Sequence, residues 1–180
     1  ILNADSIGDA FEILETEISI SATLNVTTEE GEEVSVLFKG NIDRVDRTEN
    51  EIRIIDYKTG KDDRRFTSIA DLTDATSEKN NKAALQTLIY GWMWLENHPE
   101  YISGDRVISA GLYTMREVFQ NNFDFRLLQK NSGGRSYNPV MDIRPLLPEL
   151  TERLQAIVQQ MISPEFIFTI HSLLFCHTSM

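Results

Sequence analysis

The sequence predicts an α/β domain in which helices flank a mixed sheet of four or five strands. Three observations carry that expectation. Ile18, Ile20, Ala22, Leu24 and Val26 alternate with polar residues, the pattern of a half-buried strand. Two further strand-like runs, 34–47 and 51–58, follow at once with only short polar turns between them. Later, 81–97 and 145–162 carry apolar residues at helical spacing.

Taken in order, 6–14 reads as the end of a helix, 18–26 as the first strand and TTEEGEE as a turn. The strands 34–47 and 51–58 complete an antiparallel meander. Ile52, Ile54 and Ile55 make both faces of the third strand apolar, as expected of a central strand covered on both sides. The polar stretch 60–79 lacks periodicity and reads as a long loop, either functional or disordered. In 81–97, Leu85, Leu88, Trp92 and Leu95 make a core stripe. His98 before Pro99 fits its C-terminus. Strands are expected at 107–114 and 123–128. The small Ser109, Ala110 and Gly111 leave room there for a helix to approach. A Gly/Ser loop follows at 131–138. In 145–162, Leu150, Leu154, Ile157, Val158 and Met161 are expected to point inward.

Composition narrows the class. A chain of 180 residues is read as one domain, 1–180, with a sizeable core. It carries no apolar run of the roughly 18 residues needed to span a bilayer, so no membrane is expected. Nothing near Ile1 resembles a secretory signal, and the missing initiator Met makes a fragment of a longer protein the expectation. One cysteine, Cys176, excludes an internal disulfide and fits a reducing cytoplasm, bacterial in our reading. The net charge of −11 argues against a free-standing, tight DNA binder. Locally the sign differs: Arg44, Arg47, Lys58, Lys61, Arg64 and Arg65 lie around the most reactive-looking stretch.

That stretch is GNIDRVDRTENEIRIIDYKTGK, residues 40–61. Asp56 and Lys58, two apart on a strand, point to the same side. A turn at 47–50 can bring Asp43 beside them. Crowded carboxylates repel, and a divalent cation between them relieves that cost. A neighbouring lysine can place a water or an anionic oxygen, which together is equipment for attack on a phosphodiester.

GNIDRVD followed by IIDYKTGK resembles the motifs of the RecB-like branch of the PD-(D/E)xK nuclease superfamily, which includes the nuclease domains of RecB, AddA and AddB. Gln86 and Tyr90 in QTLIY match the Gln-x-x-x-Tyr helix signature of that branch, and residues four apart share a helical face. The motifs run from Gly40 to Tyr90, about half of the chain.

The resemblance implies a restriction-endonuclease-like core and a Mg²⁺- or Mn²⁺-dependent deoxyribonuclease, exonuclease ahead of endonuclease. It assigns catalysis to Asp43, Asp56, Lys58, Gln86 and Tyr90. Metal ligation falls to Asp43, Asp56 and the backbone carbonyl of Tyr57. It also implies single-stranded DNA as substrate and a helicase domain or subunit as partner in repair. Two features depart from the family pattern. The usual His upstream of the first Asp is missing, since His98, His171 and His177 all lie downstream. Glu15 or Glu17 can stand in for it, with Glu15 preferred. The iron–sulfur cluster of some AddB-like relatives is not expected, because Cys176 cannot hold one alone. The rival reading is a nuclease-like scaffold or DNA-binding module without chemistry.

Overall fold

The computed structural model describes residues 10–120 and 123–163. Three long strands come first: β1 (Glu12–Thr27), β2 (Glu33–Arg47) and β3 (Glu51–Lys58). They pair antiparallel, as the alternation predicts. After β3 the chain forms a short strand β4 (Arg65–Phe66), a short helix α1 (Ile69–Thr73) and the long helix α2 (Lys82–Asn97). It returns through β5 (Val107–Thr114), which pairs parallel to β3 over its whole length. The main sheet is therefore mixed, in the order β1-β2-β3-β5. A second, three-stranded sheet joins β4 to β6 (Leu128–Lys130) and β7 (Tyr137–Pro139). Helix α3 (Leu147–Ile162) ends the described chain.

Several local expectations change. Residues 12–14 belong to β1 rather than to a helix, because β2 is long enough to pair with all of β1; residues 6–9 of the expected helix lie outside the described residues. The 60–79 stretch is not structureless. Phe66, Ile69 and Leu72 are buried in it, and Ser68 caps α1 by accepting the Asp71 N–H at 3.1 Å. The expected strand 123–128 is reduced to one bridge between Gly111 and Arg126 before β6 begins. The close approach at Gly111 comes from that segment and not from a helix. Any Cβ there would collide with the Phe125 carbonyl. Residues 137–138 belong to β7 rather than to a loop. Met161 is exposed, not inward, while Leu150, Leu154 and Val158 make the buried row of α3. The apolar ending 166–180, with Cys176, His171 and His177, lies outside the described residues.

Helix α2 is less amphipathic than its stripe implies. Ala83, Ala84, Thr87, Leu88 and every residue from Tyr90 to Leu95 are buried, so most of its circumference is in the core. It lies against β1, β2, β3 and β5 and shares one core with Leu24 of β1, Ile42 of β2, Ile54 of β3 and Leu112 of β5. Each Ile or Leu side chain contributes about 1.5–3 kcal/mol when fully buried. Asn81 starts the helix, its Oδ1 accepting the Ala84 N–H at 3.1 Å. His98 ends it, with Nδ1 2.9 Å from the Trp94 carbonyl and its ring stacked on Trp94 at 4.3 Å.

The opposite face of the sheet carries a second apolar cluster of Ile55, Tyr113 and Phe125. Asp46, fully buried, is ion-paired there to both Arg44 and Arg53. Arg44 also donates to the Tyr57 hydroxyl at 3.3 Å.

Candidate active site

The strand alternation of β3 sets the site. Tyr57 turns to the Arg44 face, so Asp56 and Lys58 turn to the other side. Asp56 is buried, and Lys58 Nζ lies 2.8 Å from its Oδ2. The contact is ionic without being a directed hydrogen bond, since Asp56 Oδ2 is buried and receives none.

Asp43 arrives from β2. The β2–β3 ladder runs from Arg47↔Ile52 to Arg44↔Ile55, and Asp43 comes next. Its Oδ2 accepts the Tyr57 N–H at 2.7 Å, where a strand carbonyl would otherwise serve. Helix α2 supplies the third side. Lys58 Nζ donates to Gln86 Oε1 at 2.9 Å, and Gln86 Nε2 donates to the Tyr90 hydroxyl at 2.7 Å. The Tyr90 ring lies over Gly40, where a Cβ would come within 2.5 Å of it. The chain from Asp56 through Lys58 and Gln86 to Tyr90 is therefore continuous.

The charges respond to this crowding. Burial raises the Asp56 pKa, and the negative charges of Asp43 and Asp62 raise it further, against the opposing pull of Lys58. Burial also pulls Lys58 down, but Asp56 and the charge of Asp62 outweigh it, and its pKa is raised. Lys58 is thus held as an ammonium.

Not every expected residue joins this group. Glu15 pairs with Val45 across the ladder and is not gathered with the two aspartates. The register slips between Ile13 and Glu15, and Glu17, between the paired Thr16↔Arg44 and Ile18↔Ile42, has a left-handed φ of 50°. Arg44 is taken by the far face. Arg47 pairs with Glu12, Arg64 with Glu117 and Arg65 with Asp63. Asp62 carries no motif signal in the sequence, although its charge acts on both Asp56 and Lys58; only the turn after β3 brings it near.

A family model described as the PD-(D/E)XK nuclease superfamily matches residues 3–177. The chain belongs to the PD-(D/E)XK nuclease superfamily. No curated protein matches the chain. Superfamily membership places it among nucleases, whose substrate is nucleic acid and which typically use divalent metals. The mixed sheet with flanking helices agrees with the restriction-endonuclease-like fold of that superfamily. Among the described residues no helix is long and apolar enough to cross a membrane.

The donor set of this PD-(D/E)XK chain fits a hard divalent cation. Asp43 and Asp56 are carboxylates close enough for one to raise the pKa of the other. Asp56 Oδ2, buried and ion-paired with Lys58 but without a directed hydrogen bond, keeps lone-pair capacity that such an ion could use. Among the described residues no cluster of three His, Cys, Asp or Glu side chains forms. Mg²⁺ commonly binds through one or two carboxylates and keeps several waters.

Proposed function

We propose that the chain is a metal-dependent deoxyribonuclease of the RecB-like branch, hydrolysing DNA phosphodiesters. The observation that carries the reading is the position of Lys58 Nζ, 2.8 Å from Asp56 Oδ2 and 2.9 Å from Gln86 Oε1. An ammonium hydrogen-bonded to Gln86 and ion-paired with Asp56 keeps N–H groups for a water or a phosphate oxygen.

Asp43, Asp56 and the Tyr57 carbonyl would hold Mg²⁺ or Mn²⁺. When bound there, such an ion supplies charge stabilisation and a more acidic water. Lys58 orients the attacking water and stabilises negative charge as it develops. Gln86 fixes the Lys58 ammonium. Tyr90 accepts from Gln86 and keeps its own O–H to donate to a phosphate. We further read the activity as exonucleolytic, on a single strand delivered by a helicase domain or subunit. The net charge of −11 supports delivery by a partner, because few phosphates can be neutralised by this chain alone.

Mn²⁺ titration by calorimetry tests the metal assignment. Wild type should bind, and Asp56→Asn should bind at least tenfold more weakly. Equal binding by the two proteins would remove Asp56 from the metal site.

A further inference from the structure

We propose that the cleft between the β3–β4 connection and the start of α2 is the track by which one nucleic-acid strand reaches the site; this rests on the nuclease reading above. The cleft has a volume of about 540 Å³ and is open to solvent. One wall begins at Lys61, just beyond Lys58, and the other carries Lys79 and Lys82.

Lys82 is the decisive position. Lys82, Gln86 and Tyr90 recur at spacings of four on α2 and so lie in one row. The row that braces Lys58 therefore continues outward into an exposed ammonium. A rise of about 6 Å, four residues at about 1.5 Å each, separates each member from the next. A phosphate beside Lys82 would belong to the same strand as the phosphate beside Lys58.

The remaining lining agrees. Among the described residues, the ammoniums of Lys61, Lys79 and Lys82 are in no ion pair, whereas Arg65 is paired with Asp63. With Asp62 and Glu78 also present, the charged lining comes out slightly positive in a chain carrying −11. The Arg65 guanidinium lies 5.8 Å from the centre of the Tyr137 ring. An aromatic ring beside a guanidinium plane is a surface on which unpaired bases stack. Asn81 ties the walls together. Its Nδ2 donates to the Asp63 carbonyl at 2.6 Å and the Arg65 carbonyl at 2.9 Å, while its Oδ1 caps α2. A polar cleft open to solvent can take a flexible single strand.

The test is fluorescence anisotropy of the 180-residue chain with labelled oligo-dT across a salt series. EDTA is included so that cleavage plays no part. Replacing both Lys79 and Lys82 by Ala should make the salt slope shallower by about 1.4, at about 0.7 per phosphate contact for single strands. Tyr137→Ala should weaken binding about 5- to 150-fold, as for loss of one stacked base, while Tyr137→Phe keeps wild-type affinity. Parallel losses with oligo-rU support a track indifferent to the sugar. Unchanged affinity and slope in the variants overturn the track, as does tighter binding to duplex that Tyr137→Ala leaves unaffected. Asp56→Asn separates the two readings. It should abolish cleavage and bind oligo-dT at least as tightly as wild type. If wild type cleaves while the cleft variants bind normally, the track falls and the nuclease reading stands.

Discussion

The Asp43 carboxylate accepts the backbone N–H of Tyr57 at 2.7 Å, just past the last pair of the β2–β3 ladder. One side chain thus ends the strand pairing and sets a carboxylate next to Asp56. It has a structural task as well as the chemical one proposed above.

The two tasks separate on mutation. Asp43→Asn retains an acceptor for the Tyr57 N–H and should keep stability within about 0.5 kcal/mol of wild type, while Mn²⁺ binding weakens. Asp43→Ala leaves that N–H unpaired and should cost about 1–3 kcal/mol. Urea denaturation of the three proteins measures both values. An alanine variant as stable as wild type would show the contact to be structurally idle.

Asp56 should make stability depend on pH in an unusual direction. Its pKa is raised in the fold, chiefly by burial, so the folded state favours the protonated carboxyl. Its contribution is fully present below the ordinary Asp value of about 3.9 and is lost as pH rises through the raised pKa. Asp56→Asn should therefore gain stability relative to wild type as pH rises above about 4, with the difference vanishing below it. Denaturation midpoints across pH check this. Added Mn²⁺ should narrow the difference, because a bound cation favours the ionised form. A wild-type advantage that grows with pH in metal-free buffer would contradict the assignment.

Gly40 is placed to report on Tyr90. A methyl group there meets the Tyr90 ring at 2.5 Å, so Gly40→Ala must move the ring. The Gln86–Tyr90 hydrogen bond would be strained and the hold on Lys58 loosened. The variant should lose about 1–3 kcal/mol of stability, the usual cost of overpacking. Cleavage should fall by more than the folded fraction does. Thermal melts and initial rates compared on the same preparation distinguish the two losses.

Which parts were legible in the sequence follows the range of the forces involved. The meander and the shared face of Asp56 and Lys58 rest on alternation within one strand, and Gln86 and Tyr90 rest on one helical turn. Those are local, and the observed contacts at 2.8 Å and 2.7 Å agree with them. The ion-pair partners of Arg44 and the exposure of Met161 are not set by such local patterns alone. Arg44 shares the far face with Asp46 by strand alternation, but the cross-strand Arg53 that completes its buried ion pairs is not local. Met161 follows the helical period of α3 yet is exposed, because periodicity does not say where the covering core ends. The parallel pairing of β5 with β3 joins segments about fifty residues apart, a separation no window of periodicity covers. The burial of Phe66, Ile69 and Leu72 is not legible, because isolated apolar residues in a polar stretch show no period.

Cleavage of an end-labelled single-stranded oligonucleotide with Mn²⁺ and enzyme in excess tests the central claim most directly. The rates to compare are those of wild type and Lys58→Ala. Wild type should cut, slowly in the absence of a partner. Lys58→Ala should be slower by roughly 10²–10⁴-fold, as for other positioned proton-transfer groups, while binding Mn²⁺ as wild type does. A Lys58→Ala protein that cuts at the wild-type rate, or a wild type that binds Mn²⁺ and leaves the strand intact, would contradict the account.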